Sequence, residues 1–92
     1  MVHVSYTSQL FDEEGQIVAL CPELNVSSFG DTPEEALASL REAVTLFLEE
    51  CQQMGTLEMV LEEAGYRRES AIPQRWVPRQ PVQINWLEVS FA

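Results

Sequence analysis

The sequence contains no lysine, and basic residues of any kind are few. Its 92 residues include 15 aspartates and glutamates against five arginines and one histidine, which gives a formal net charge of −10 at pH 7. Proteins that bind DNA or RNA gain most of their affinity by neutralising phosphates with basic side chains, so we expect no direct binding of nucleic acid. Four of the arginines lie between positions 67 and 79. An acidic body with one basic segment is suited to a basic protein partner or to a second copy of itself.

Long apolar runs are also missing, and cysteine is scarce. No run approaches the roughly 20 residues that cross a bilayer, and no basic stretch precedes an apolar one as in a secretion signal. The two cysteines, Cys21 and Cys51, both lie among apolar residues. We therefore expect reduced, packed thiols rather than a disulfide, a cytoplasmic location and no membrane partner.

Residues suited to catalysis or metal binding are equally few. His3 is the only histidine and is distant in sequence from both cysteines, so we expect no zinc site. Cys21 and His3 could form a nucleophilic pair if neighbouring strands brought them together, but no third, orienting group is evident. Ser27 and Ser28 lack the G-x-S-x-G setting of a hydrolase nucleophile, and there is no glycine-rich phosphate loop. The sequence predicts no catalytic residue, no metal and no cofactor.

Hydrophobic periodicity predicts three strands, two helices and a last strand. Apolar and polar residues alternate in the first strand, and Gly15 suits the turn after it. Thr32 and Glu35 form a capping box around Pro33, which predicts the start of a long helix. The predicted elements are strands Val2–Phe11, Gln16–Cys21 and Leu24–Phe29, helix Pro33–Gln53, a short helix between Thr56 and Gly65, an extended Arg/Pro-rich connection Arg67–Pro81, and strand Val82–Phe91. They make one domain over residues 1–92, with a core at 1–66, the connection at 67–81 and the last strand at 82–92.

The long helix is amphipathic, with one apolar face and one acidic face. On the acidic face Glu35, Glu42 and Glu49 recur every seven residues, and Leu46 falls among them. These four residues are our candidates for binding a partner; a solvated helix face is the alternative interpretation. The opposite, apolar arc is expected to pack on the sheet and consists of Leu37, Leu40, Val44, Phe47, Leu48 and Cys51.

Two short motifs carry a resemblance to a known family. The sequence CPEL lies at positions 21–24 between two predicted strands, and GDTPEEAL lies at positions 30–37 where the long helix begins. From Val4 to about Glu50 this succession resembles the N-terminal domain of HicB-type antitoxins. The resemblance implies an α+β, two-layer fold of the reduced RNase H-like kind, in the order βββαα-loop-β. An antiparallel meander then carries the long helix on one face, with the last strand parallel to the first.

The family resemblance also implies a function. A HicB protein neutralises a HicA toxin, a small basic mRNA-cleaving protein, by covering its active site, and the acidic charge of this chain fits such a partner. An RNase H-like nuclease needs carboxylates on its first strand to bind Mg²⁺, and the first strand here has none. We therefore expect a binding protein and not an enzyme.

The C-terminal part departs from the family pattern. Many HicB proteins end in a helix-turn-helix or ribbon-helix-helix that binds DNA, whereas this chain continues into a proline-containing connection and a strand-like segment. DNA binding is therefore not carried over. The small domain and the tethered last strand predict a homo-oligomer, a dimer or a tetramer. The alternative function is a stand-alone oligomeric domain with a regulatory or scaffold role and no toxin partner.

Overall fold

Six strands and two helices form an α+β fold in the computed structural model, which describes residues 1–92. All of the helices and strands lie within residues 2–77. They are β1 (Val2–Val4), β2 (Gln9–Glu13), β3 (Gln16–Cys21), β4 (Val26–Gly30), α1 (Pro33–Gln53), α2 (Leu57–Glu63), β5 (Arg67–Ser70) and β6 (Gln74–Val77). Neither helix combines the length and the apolar character needed to cross a membrane.

The first sheet is the predicted antiparallel meander, in the order β2-β3-β4. Its register places Phe11 opposite Val18 and Val18 opposite Phe29. The β2–β3 turn works because Gly15 adopts a φ of 88°, a backbone conformation that glycine accepts without steric cost. Asp12 Oδ1 accepts a hydrogen bond from the Gly15 N–H at 3.0 Å and closes this turn.

The second sheet has the order β1-β6-β5. Strand β1 runs parallel to β6, with Val4 opposite Trp76, and β5 runs antiparallel to β6. Only residues 5–8 separate β1 from β2, so one stretch of chain contributes a strand to each sheet.

Helix α1 begins at the predicted cap. Thr32 Oγ1 accepts a hydrogen bond from the Glu35 N–H at 3.1 Å, and Glu35 Oε2 accepts one from the Asp31 N–H at 3.0 Å. Gly30 is required just before this cap, because a Cβ there would lie 2.6 Å from the Ala36 nitrogen. The close approach allows the helix to pack directly over β4 and β3.

Two buried clusters join the helices to the sheets. The first lies under the N-terminal half of α1, and the second is formed by the end of α1, α2 and the second sheet. Leu24 and Leu48 pack against both clusters, so the core is continuous. The clusters consist of Ala19, Cys21, Ala36, Leu40 and Val44, and of Cys51, Leu57, Leu61, Tyr66 and Trp76.

The predicted first strand Val2–Phe11 is wrong as a single strand, because it is interrupted at residues 5–8. The Glu23 carboxylate accepts a hydrogen bond from the Thr7 N–H at 3.2 Å and another from the Thr7 hydroxyl. A side chain thus binds the backbone here in place of a neighbouring strand. The third strand also begins at Val26 rather than Leu24, and Asn25 has a φ of 55° in the turn before it.

The predicted extended connection over residues 67–81 is corrected, since it contains both β5 and β6. Trp76 stabilises β5 and β6. Its side chain is buried in the second cluster, and the Arg68 guanidinium lies over its ring, 5.0 Å from the centroid. Arg68 also forms an ion pair with Glu58 of α2.

The predicted last strand Val82–Phe91 is likewise corrected. Residues 78–92 belong to no helix or strand, and the side chains of 82–91 are exposed. The segment pairs with no backbone of its own chain, and the strand parallel to β1 is β6 instead.

Two smaller details of the helices also differ from expectation. Leu37 is 41% exposed, and Ala36 takes its place in the core. Thr56 precedes α2 but makes no side-chain cap; its hydroxyl donates to the Cys51 carbonyl at 3.3 Å.

Candidate protein-interaction surfaces

The acidic face of α1 carries one exposed apolar side chain. Glu42, Leu46 and Glu49 are all exposed, and Leu46 has 60% of its surface accessible. Their spacing of four and three residues places them side by side on the helix; we call these three residues the glutamate stripe. The only ion pair in the structure joins Arg68 to Glu58, so both stripe carboxylates are free to meet a basic partner.

Glu35 differs from the other predicted partner-binding residues. It lies on the same side of α1, but its carboxylate accepts the hydrogen bond from the Asp31 N–H. It therefore helps to stabilise the start of the helix. Of the four sequence candidates, the structure brings Glu42, Leu46 and Glu49 together, and Glu35 lies two turns earlier with a structural role.

Cys21, the candidate nucleophile, and Glu23 make contacts with each other and with neighbouring residues of the fold. Cys21 Sγ lies 3.5 Å from Glu23 Oε1 and is fully buried. Burial raises the pKa of the Cys21 thiol, which disfavours the reactive thiolate. For Glu23, burial opposes ionisation, but hydrogen bonds from Thr7, from its own backbone and from Cys21 outweigh it and lower the pKa of the carboxyl. The CPEL motif thus stabilises the strand break at residues 5–8.

Tyr66 also binds the backbone at the interruption between β1 and β2. Its hydroxyl donates to the Ser5 carbonyl oxygen at 2.6 Å. Burial raises the pKa of Tyr66, and the nearby Cys21 and Glu23 act in the same direction. The tyrosine therefore keeps its proton and serves as a hydrogen-bond donor within the fold.

Both cysteines are free and buried, in different core clusters. The expectation that both side chains are packed in the core therefore agrees with the structure. No hydrogen bond joins His3 to Cys21; the thiol donates to Glu23 instead. No set of three or more histidine, cysteine, aspartate or glutamate side chains is placed to hold a metal ion.

A groove of about 870 Å³ lies between β1 and the second half of α1. Strand β1 is at the end of its sheet, so one of its backbone edges pairs with no strand. Val2 and Val4 lie on one face of β1 and His3 on the other, and all three line the groove, so the groove reaches the edge of β1. We call this feature the β1–α1 groove. Its apolar lining includes Val2, Val4, Val44, Leu48 and Leu57, and its polar lining includes His3, Arg41, Thr45, Glu49 and Gln52.

The outer face of the first sheet carries a row of apolar side chains that sequence analysis did not identify. Ala19 is buried under α1, so the alternate residue Val18 lies on the opposite face. Phe11 and Phe29 flank Val18 in register and are 47% and 60% exposed. Only the pairing register reveals this row, because the three residues lie far apart in sequence.

The C-terminal segment Val82–Phe91, which we call the tail, is the most exposed apolar part of the molecule. Trp86 is 98% exposed, and the other large apolar side chains are 79% exposed or more. The tail contains a single charged residue, Glu88. Its apolar residues are Val82, Ile84, Trp86, Leu87, Val89 and Phe91.

Comparison with known proteins adds no assignment: a scan against protein-family models, a search of curated proteins and a search of solved structures each found no match.

Proposed function

We propose that this chain is a non-catalytic, HicB-like antitoxin-type protein that binds and neutralises a small, basic, mRNA-cleaving protein of the HicA type. The observation that carries the proposal is the glutamate stripe, an exposed leucine between two unpaired carboxylates in a chain of net charge −10. Such an antagonist would act in the cytoplasm, where mRNA is the target of its partner.

The proposed fold family is the reduced RNase H-like one. Three features support it: an antiparallel meander, a long helix directly after the meander, and a later strand that runs parallel to β1. The two motifs occupy structurally required positions, since Glu23 of CPEL binds Thr7 and Gly30 of GDTPEEAL allows the helix to approach the sheet.

The stripe combines two physical roles. Complementary charge mainly raises the rate of encounter with a partner, and Glu42 and Glu49 are placed to supply it. Buried apolar anchors mainly slow dissociation, and Leu46 is the exposed apolar side chain between the two charges. Neither role requires a change in the core, because all three side chains point away from it.

The proposal predicts that a short basic protein is encoded beside this chain, and it is tested with that protein. Expression of that protein alone should stop growth, and co-expression of this chain should restore growth and give a complex that co-purifies. A harmless neighbour, or one that neither binds nor is neutralised, would contradict the antitoxin function.

Matched charge reversals then locate the binding surface. Glu42→Lys with Glu49→Lys should lower the association rate and weaken its salt dependence. The control is Glu62→Lys with Glu63→Lys, which changes the net charge equally on exposed positions of α2. If the control slows association by the same factor, only overall charge matters and the stripe is not the binding surface.

A second candidate is a stand-alone oligomeric domain with a regulatory or scaffold role. The exposed apolar tail favours it, because a surface of this kind serves assembly without any toxin. Failure of the co-expression experiment, together with a stable oligomer, would select this alternative.

A further inference from the structure

We propose that the tail of one copy binds in the β1–α1 groove of a second copy, where it adds a strand to the free edge of β1. The exchange is reciprocal and makes a dimer. This inference concerns self-assembly and does not depend on the toxin partner.

The tail has the sequence pattern of a strand but pairs with no other strand. Monomeric proteins rarely expose contiguous apolar patches of this size, and here six large apolar side chains lie within ten residues. The molecule is correspondingly extended: its radius of gyration is 15.8 Å, against about 12 Å for a compact chain of this length. Alternation of apolar and polar residues over Val82–Trp86 suits a strand with one buried face.

The β1–α1 groove offers both things that such a strand needs. The unpaired edge of β1 supplies backbone hydrogen-bonding groups, and the apolar floor accepts alternate side chains. Extended peptides bind other proteins in this way, with the main chain giving affinity and the pockets giving specificity. The tail face with Val82, Ile84 and Trp86 would meet the floor formed by Val2, Val4 and Leu48.

Charge also matches the tail to this groove. Arg41 and His3 line it, and they are the only basic side chains before position 67 in an otherwise acidic chain. Arg41 forms no ion pair within its own copy, and the tail brings one carboxylate, Glu88. Glu49 also lines the groove, but it lies about 12 Å along the helix from Arg41, so Glu88 belongs at the Arg41 end.

The direction of the chain favours a second copy over the same one. The tail follows β6, and β6 already occupies one edge of β1, so an added strand pairs with the other edge. The Arg79 side chain lies beside Gly65, 3.4 Å from the place of a Cβ there. The connection therefore passes the C-terminal end of α2, none of whose residues lines the groove.

The reciprocal exchange doubles the buried area. Trp86, the aromatic residue on the docking face, buries about 150–250 Å² when fully covered, and Val82 and Ile84 on the same face add to it. Each docked tail also covers the groove floor. A standard protein–protein interface buries roughly 1,600 Å² in total, which is roughly 800 Å² for each of the two contacts.

Two variants of the full chain interrupt opposite sides of the contact. Trp86→Asp disables the tail and leaves the groove intact; Thr45→Trp fills the groove and leaves the tail intact. Both positions are exposed in the single copy, so folding should persist and is checked by circular dichroism. In sedimentation velocity the wild type should be a dimer of about 21 kDa, twice 10.4 kDa, and each variant should raise the dimer Kd by at least about 30-fold.

Mixing the two variants gives the sharpest result. Their mixture contains one intact tail and one intact groove, so it should form heterodimers while each variant alone is monomeric. Met59→Asp is the matched control for the tail, since Met59 is an exposed apolar residue of α2 outside the groove. Leu46→Asp tests the stripe separately and should leave the dimer intact while weakening toxin binding, so the two proposals can fail independently.

Trp86 also reports docking directly. In a Trp76→Phe background its emission should shift to shorter wavelength as protein concentration rises, because docking removes the indole from water. A shift independent of concentration would show that the tail folds onto its own copy. That result, a monomer at ~100 μM, or dimers unaffected by both variants would overturn the proposal.

Discussion

Replacing Glu23 by glutamine should destabilise the protein at neutral pH and have little effect in acid. The Glu23 carboxylate accepts hydrogen bonds from the Thr7 N–H, at 3.2 Å, and from the Thr7 hydroxyl, and these hold the chain where β1 gives way to β2. Hydrogen bonds to charged groups contribute about 1.5–3 kcal/mol when protected from water. Because Thr7 is exposed, we reduce the expected loss to about 1–2 kcal/mol of unfolding free energy.

The pH dependence follows from the direction of the pKa shift. The pKa of Glu23 is lower in the folded protein than its ordinary value of 4.5. Its stabilising contribution is therefore fully present above the unfolded pKa and is lost as the pH falls through the folded pKa. The difference between wild type and Glu23→Gln should shrink over that range.

Urea unfolding at one protein concentration, followed by circular dichroism from about pH 7 to about pH 3, measures this difference. Glu63→Gln is the control, because Glu63 is exposed and its side chain forms no ion pair; it should change stability by less than about 0.5 kcal/mol. A Glu23→Gln difference that is absent at neutral pH, or that does not diminish in acid, would refute the structural role of CPEL.

Three further predictions test the fold and the stripe by the same unfolding measurement. Gly30→Ala should cost at least about 1–3 kcal/mol, because its Cβ would lie 2.6 Å from the Ala36 nitrogen; unchanged stability would show that the β4–α1 approach is not tight. Thr32→Ala should cost about 1 kcal/mol through loss of the cap to the Glu35 N–H, whereas Thr56→Ala, which removes no side-chain cap, should cost less. Leu46→Asp should change stability by less than about 0.5 kcal/mol, since the side chain is 60% exposed; a larger loss would place Leu46 in the core.

The parts of the fold that sequence analysis predicted well are those specified by neighbouring residues. The α1 bounds Pro33–Gln53 match the structure, because the cap, the proline at the first turn and the apolar period all lie within the helix. The meander was also predicted, since Gly15 and the alternating residues around it define a hairpin locally.

The errors concern pairing over long distances in sequence. Strands β5 and β6 are only four residues each, and β6 pairs with β1 at the other end of the chain. The tail shows the opposite error. Its apolar pattern is that of a strand, but no strand of its own chain pairs with it. Sequence periodicity describes what a segment can form, whereas pairing depends on what lies beside it.

The same distinction applies to the interaction surfaces. Leu46 could be placed among glutamates from a helical wheel alone, and it is exposed in the structure. The β1–α1 groove and the row formed by Phe11, Val18 and Phe29 could not be found this way, because each brings together residues from separate elements. Arg41 stands out in the sequence as the only arginine before position 67, but nothing in the sequence connects it with β1.

The two proposed contacts occupy adjoining faces of α1 and meet at one residue. Glu42 and Leu46 face away from the sheet, while Arg41 and Thr45 lie about 100° around the helix from them and line the groove. Glu49 belongs to both surfaces, since it completes the stripe and lines the groove. A docked tail and a bound basic partner can therefore share the helix, and any coupling between them should pass through Glu49. Coupling between two binding free energies is reciprocal. If a substitution at Glu49 changes how strongly dimerisation alters partner affinity, it must change by the same factor how strongly the partner alters dimer affinity.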